Sequence, residues 1–314
     1  MRIQANGISL EVEDTGADGT QTHRPVVLLI MGLGMQLIAW PPALVQALVD
    51  ACYRVLRFDN RDIGLSQHFD HLGTPNLPWT ATKLRFGLPV RPPYSLRDMA
   101  LDAIGVLDAL GVRKAHVVGA SMGGMIAQRV ALLAPERLLS LTSIMSSSGA
   151  RALPPPRPEV MRLMLRRPPR HSREGMIAHG VTLFQAIGSP GFPTPAAEIR
   201  ERVAESMARS FHPAGTVRQM VAVGADVTRA LELVRVTSPT LVLHGRDDPL
   251  VPFACGEDTA RRIRGARLCG IDGMGHDLPP AVVDRLLAEM LPHLAAHSLQ
   301  PSNDLTIQQP VTTP

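Results

Sequence analysis

The sequence predicts an α/β fold: a mostly parallel central sheet of about eight strands with helices on both faces, plus a helical cap insertion. Three observations carry this. Apolar runs such as VVLLIMG (26–32) are continuous rather than alternating, which suits strands buried on both faces. Strand-like and helix-like segments alternate along most of the chain. From about Ser148 to Arg229 the alternation stops, and helical stretches follow one another without a convincing strand.

Taken in order, Ile8, Leu10 and Val12 alternate with polar residues just after Asn6-Gly7, a dipeptide that favours a tight hairpin turn. An antiparallel pair therefore opens the fold. The run 26–32 follows, bounded by Pro25 and glycines. Trp40 to Ala51 reads as a helix with Pro41 and Pro42 in its first turn, where proline is tolerated. RVLRFDN (54–60) is the next strand, and Arg61 to Pro93, rich in Gly and Pro, reads as loop. Ser95 to Leu110 reads as a helix capped by Ser95, with Ala100, Ile104, Leu107 and Leu110 at helical spacing. The strand AHVVGA (115–120), a helix from Met122 to Ala134 and the strand LLSLTSIM (138–145) complete the first half. Inside the insertion, Met176 to Ala186 and Glu198 to Ser210 are the clearest helices. The sheet resumes with TLVLHG (240–245), a helix around Cys255 to Ile263, the short strand ARLCGI (266–271) and a helix from Ala281 to His297. The expected division is core 1–147, cap 148–232, core 233–297 and a polar, disordered tail 298–314.

The 314 residues are 45% hydrophobic and 19% charged, enough apolar material for a sizeable core. The net charge of +4 is a small surplus, mostly arginine. The densest basic run, Met161 to Arg173, has no interleaved aromatics and reads as a solvated face rather than a nucleic-acid patch. Cys52, Cys255 and Cys269 are too few and too scattered for a disulfide framework or a zinc site, and fit a reducing compartment. The first residues lack the apolar stretch of a signal peptide, and no apolar run approaches the roughly 20 residues that cross a bilayer. A cytoplasmic protein is expected, a monomer or homodimer that binds neither nucleic acid nor membrane.

The chemistry starts at GASMGG, Gly119 to Gly124, between a predicted strand and a predicted helix. That setting holds a serine hydroxyl clear of the sheet while small neighbours permit a sharp turn. The amide of Met122 and the positive end of the following helix would then face an oxygen beside Ser121. The plainer alternative is a glycine-rich turn or phosphate cradle, but no G-K-[ST] follows and the glycine spacing is not a dinucleotide fingerprint. A serine alcohol needs a base and a group to orient that base. Of the 11 histidines, His276 lies in GMGHDLP just past the last predicted strand, at the sheet edge where Ser121 also lies. His116 sits inside a strand and is expected to pack there. His179, His212, His293 and His297 fall on expected helices and default to exposure. For the acid, HGRDDPLVP offers Asp248, with Asp247 as the alternative; either could instead merely cap a turn. The segment SIMSSSG after the preceding strand has no carboxylate to compete. MGLG, Met31 to Gly34, follows a buried strand, and the amide of Leu33 can supply a second donor to a developing oxyanion; alone, it would read as an ordinary glycine turn.

These segments together resemble the α/β-hydrolase fold superfamily. GASMGG, HGRDDPLVP, GMGHDLP and RFDNRDIGLS match its pattern, as does a helical cap after the strand that follows the elbow. IMGLGMQLIAW with FDNRDIGLS is similar to the bacterial aclacinomycin methylesterase-like hydrolases. The resemblance implies a serine hydrolase of carboxylic esters: Ser121 as nucleophile, His276 as base, Asp248 as its orienting acid, Leu33 and Met122 as oxyanion donors, and no cofactor or metal. Serine rather than aspartate at the elbow argues against dehalogenase and epoxide hydrolase chemistry. The same residues also suit perhydrolase or haloperoxidase-type activity, lactone or carbon–carbon bond hydrolysis, or a ligand receptor built on the fold. Two features depart from the pattern. Met31 stands where many members have histidine, and the loop from His68 to Pro93 is long, with Trp79 and Phe86 placed to cover part of the site. Trp79, Phe184, Met207 and Phe211 are candidate walls of a pocket for an apolar small-molecule ester, although for each of the three cap residues packing inside the cap is the favoured reading.

Overall fold

The computed structural model describes residues 1–19, 21, 23–166 and 172–298. Strands β1 (Arg2–Ala5) and β2 (Ile8–Asp14) form the expected hairpin, with Ala5 opposite Ile8. Asn6 and Gly7 both have positive φ, 50° and 75°, the pairing that a two-residue turn of this hand demands. Next come β3 (Val26–Ile30), helix α1 (Pro42–Asp50) and β4 (Arg54–Phe58). The stretch expected as loop contains a helix, α2 (Leu77–Arg85), capped by the Asn76 side chain on the Trp79 N–H. Helix α3 (Leu96–Ala109) opens with a reciprocal cap between Ser95 and Asp98. Then follow β5 (Ala115–Ala120), α4 (Met122–Leu133) and β6 (Leu138–Ile144).

Between β6 and the next strand lie only helices: α5 (Pro158–Leu165), α6 (Arg173–Ile187), α7 (Ala196–Arg209), α8 (Pro213–Ala225) and the single turn α9 (Arg229–Glu232). Of these, α6 and α7 match the expected helices, and α8 was not delimited from the sequence. The chain returns to the sheet with β7 (Thr240–Gly245), α10 (Phe253–Arg262), β8 (Arg267–Ile271) and α11 (Pro280–His297). Part of the basic run and the expected tail beyond Ser298 lie outside the described residues.

The eight strands form one sheet in the order β1-β2-β4-β3-β5-β6-β7-β8. The first two pairings, β1 with β2 and β2 with β4, are antiparallel and the rest are parallel. Alternate residues of each strand face opposite layers. Leu28, Ile30 and Val117 pack with α3 and α4; Val27, Leu29 and Val118 pack with α1 and α11. This burial on both faces explains the unbroken apolar runs. No helix among the described residues is long and apolar enough to cross a membrane. His116 packs inside the sheet as expected, its Nδ1 2.8 Å from Ser140 Oγ. His293 reverses expectation. It is 9% exposed on the inner face of α11, because that helix lies flat against β6 and β7 rather than against solvent.

Candidate active site

In a parallel sheet, segments that follow different strands meet at the carboxyl edge, and that is where the candidate residues gather. Ser121 follows β5 and precedes the first residue of α4. Its φ of 54° and ψ of −120° are strained for a residue with a side chain. The turn is feasible only because glycine flanks it: a Cβ on Gly119 would lie 2.1 Å from the Gly123 carbonyl oxygen, and one on Gly123 would lie 1.9 Å from that of Ile30. The strained backbone is tied down, since the Ser121 N–H donates to Ile144 O at 2.9 Å and Ser146 Oγ donates to Ser121 O at 2.7 Å.

His276 Nε2 lies 2.9 Å from Ser121 Oγ, and its Nδ1 lies 2.7 Å from Asp248 Oδ2. A carboxylate only accepts, so Nδ1 carries the hydrogen and the Nε2 lone pair faces the serine hydroxyl. Asp248 also accepts the N–H groups of Leu250 and Val251 on Oδ1, at 2.9 and 2.8 Å. It thus caps its turn and meets the imidazole with the other oxygen. Asp247 points elsewhere, accepting the Gly273 N–H at 2.8 Å. Asp248 and His276 are only 3% and 8% exposed, so little water competes for their hydrogen bond. A second histidine, His244, lies 3.6 Å from Asp248 Oδ2 but donates Nε2–H to Val251 O at 2.7 Å. Burial lowers its pKa and keeps it neutral.

The loop after β3 brings Gly32 against the serine: a Cβ there would lie 3.1 Å from Ser121 Cβ. Among the described residues, neither the Leu33 nor the Met122 N–H has a protein acceptor. Both N–H groups are therefore free to donate.

The histidine loop leans on the helical segment, a tie that sequence reasoning missed. The His276 N–H donates to Ile187 O at 2.7 Å, and Ser189 Oγ accepts the Gly275 N–H at 2.9 Å. Ser189 in turn bonds Asp277, whose carboxyl is raised by burial. No local signal in the sequence links Ser189 to a histidine 87 positions on; only the folded chain does.

The pocket candidates differ in their surroundings. Trp79 is 58% exposed, with Lys83 Nζ 5.6 Å from its ring centre, and Phe211 is 52% exposed. Met207 is half-buried on α7. Phe184 lines a cavity of about 380 Å³ with Ser189, Asp247 and Asp277; that cavity backs the histidine loop and is not lined by Ser121.

Among the described residues one cluster has metal-ligand chemistry: His68, Asp70 and His212 place a ligand-type atom each within 4.8 Å of one another. The two imidazoles stack face to face at 3.8 Å with planes 5° apart, so their in-plane lone pairs do not converge on one ion. His212 Nε2 lies 2.8 Å from Asp70, with Arg218 on the same oxygen. The cluster is an ion-paired strap between the loop after β4 and α8.

Comparison with known proteins finds relatives of the same fold. The model of the α/β hydrolase fold family matches residues 25–279. Rhodomycin D methylesterase DnrP of Streptomyces peucetius is 33% identical over 290 residues, covering 86% of this chain and 91% of that protein. A putative carbamate hydrolase of Variovorax paradoxus is 29% identical, covering 88% and 96%. Among solved structures, a meta-cleavage product hydrolase from Pseudomonas fluorescens superposes with a TM-score of 0.71 at 19% identity, covering 95% and 98% of the two chains.

Proposed function

The chain belongs to the α/β-hydrolase fold family, and from that premise we propose that it is a serine hydrolase of small carboxylic esters, working through an acyl-enzyme. The observation that carries the reading is the relay from Asp248 through His276 to Ser121, at 2.7 and 2.9 Å. Ser121 Oγ attacks the ester carbonyl while His276 Nε2 takes its proton. Asp248 holds the tautomer that makes this possible and stabilises the imidazolium. The carbonyl oxygen gains negative charge and accepts hydrogen bonds donated by the N–H groups of Leu33 and Met122. The alcohol departs with the proton from His276. Water then attacks the acyl carbon, again deprotonated by His276, and the acid is released.

The methylesterase relative favours an ester with a small alcohol over lactone or carbon–carbon bond cleavage. The segment 148–232 is read as the cap that bounds the acyl side. The three free thiols support a cytoplasmic setting.

Turnover of p-nitrophenyl acetate and butyrate, a panel of methyl esters and carbamates, and fluorophosphonate labelling test the reading. Ser121→Ala is expected to fold normally, lose labelling and lose at least about 10³-fold in turnover. Retention of more than about a tenth of the wild-type rate removes Ser121 from the mechanism. A wild-type protein that binds but never turns over esters is a receptor instead.

A further inference from the structure

We infer that Gln219, on helix α8 of the segment between β6 and β7, is a positioning residue for the oxyanion loop. The inference rests on the reading of Ser121 and Leu33 given above. Gln219 is fully buried, and its Oε1 accepts the Gly34 N–H at 2.9 Å while its Nε2 donates to Arg61 O at 2.9 Å. Only one orientation of the amide satisfies both partners, since one is a donor and the other an acceptor. The bond to Gly34 crosses 185 positions of sequence.

The loop needs such a tie. Between Met31 and Leu37 it holds one internal turn bond, from the Met35 N–H to Gly32 O at 3.2 Å. Its ends are anchored by the core: Asn60 Nδ2 donates to Met31 O at 2.9 Å, and the Leu37 N–H donates to Asp59 Oδ1 at 2.7 Å. Its middle is anchored from outside the core. The Gly34 amide belongs to the peptide directly after the Leu33 amide, so holding it limits rotation of the donor assigned to the oxyanion.

Helix α8 is itself docked for this purpose along one face. A Cβ on Gly215 would lie 2.2 Å from Asp62 O, so only glycine permits the approach. A Cβ on Gly34 would lie 3.0 Å from the Thr216 side chain. Arg218 clamps the Asp62 carboxylate with Nε and Nη2 at 2.7 and 2.8 Å. Residues 215, 216, 218 and 219 are neighbours on a helix surface. The result is that a residue outside the sheet aligns a donor of the site.

The test is Gln219→Met, which keeps the volume and removes both hydrogen bonds. Turnover is expressed per active site titrated with a fluorophosphonate, so that misfolded molecules do not count. The expected result is a fall in kcat of about tenfold or more with KM within about twofold, because the loosened donor serves the transition state rather than the bound ester. A boronic acid, which mimics the tetrahedral adduct, is expected to bind more weakly by the same factor. Gln219→Glu keeps an acceptor for Gly34 and is expected to recover part of the loss. Should Gln219→Met fail to fold, Gln219→Asn, too short to reach both partners, is expected to lower kcat in the same direction. Unchanged kcat per titrated site, or an effect confined to KM, overturns the inference. Failure of the underlying reading is distinguishable, because Ser121→Ala would then remain active.

Discussion

The sheet and the helical segment between β6 and β7 are held by different physics. In the sheet, Val27, Leu28, Leu29 and Ile30 are all fully buried, and two apolar layers sandwich the strands. Few of the segment's apolar side chains, such as Val160 and Val221, are buried as deeply. What fastens it are single polar contacts: Arg218 to Asp62, Arg209 to Asp59, Gln219 to Gly34, Ser189 to Asp277. Hydrophobic attraction scales with area and has no direction. A hydrogen bond fixes distance and angle. The difference teaches that stability lives mainly in the sheet, whereas the placement of two loops at its carboxyl edge is shared with the segment.

The sharpest test of directional control is inside one core loop. Asp248→Asn is expected to lower kcat by about 10⁴-fold by favouring the wrong imidazole tautomer. Asp247→Asn keeps an oxygen for the Gly273 N–H and is expected to stay within about a few-fold of wild type. Steady-state kinetics on both variants decide it, and a reversed pattern would hand the acid role to Asp247.

Next in size is the ion pair on which α8 is seated. Arg218→Met leaves the Asp62 carboxylate buried without its guanidinium partner, keeping the Phe69 N–H, and is expected to cost about 3 kcal/mol by urea unfolding. Adding Asp62→Asn is expected to recover much of that loss, since the orphaned charge is gone. Strictly additive losses would mean that the pair acts by packing, and the contrast with the sheet would fail.

Leu141→Ala in β6 is expected to cost about 3 kcal/mol through lost burial and the cavity left behind. Its turnover per folded molecule should match wild type. A large fall in kcat here would show that the core, too, sets the site's geometry.

The smallest effect is the pH dependence of the sheet layer under α11. Burial holds His116 down to about 3 and His293 down to about 4. Both stay neutral in the native state while the unfolded chain takes up protons below its ordinary value near 6.5. Stability is therefore full above that value and falls as pH drops toward the folded values. Each histidine is expected to remove roughly 2 kcal/mol between pH 7 and pH 5. Urea midpoints at the two pH values measure this, and His116→Asn should flatten the decline. Equal midpoints would mean the unfolded chain gains no extra protons.

Much of the fold was legible because its signals are local. The Asn6-Gly7 turn, the Ser95 cap and the unbroken run 26–30 each follow from a few neighbouring residues. Helix α2 was hidden because Pro78 and Gly87 bracket it and read as loop punctuation, although Pro78 falls in its first turn, where proline fits. His293 misled because periodicity marks a helix but not which neighbour covers it. At the site, Ser121, Asp248 and His276 were legible as positions after strands.

By itself the sequence determined the succession of strands and most of the helices, α2 and α8 excepted, and hence which segments reach the carboxyl edge of the sheet. Those are properties of short windows, set by side-chain period and turn chemistry. Only the tertiary structure decided which of two adjacent aspartates meets the imidazole, that Trp79 and Phe211 lie exposed, and that Gln219 and Ser189 brace the loops around the hydroxyl. Those outcomes turn on ångström-scale distances between segments up to 185 residues apart, which no local pattern encodes.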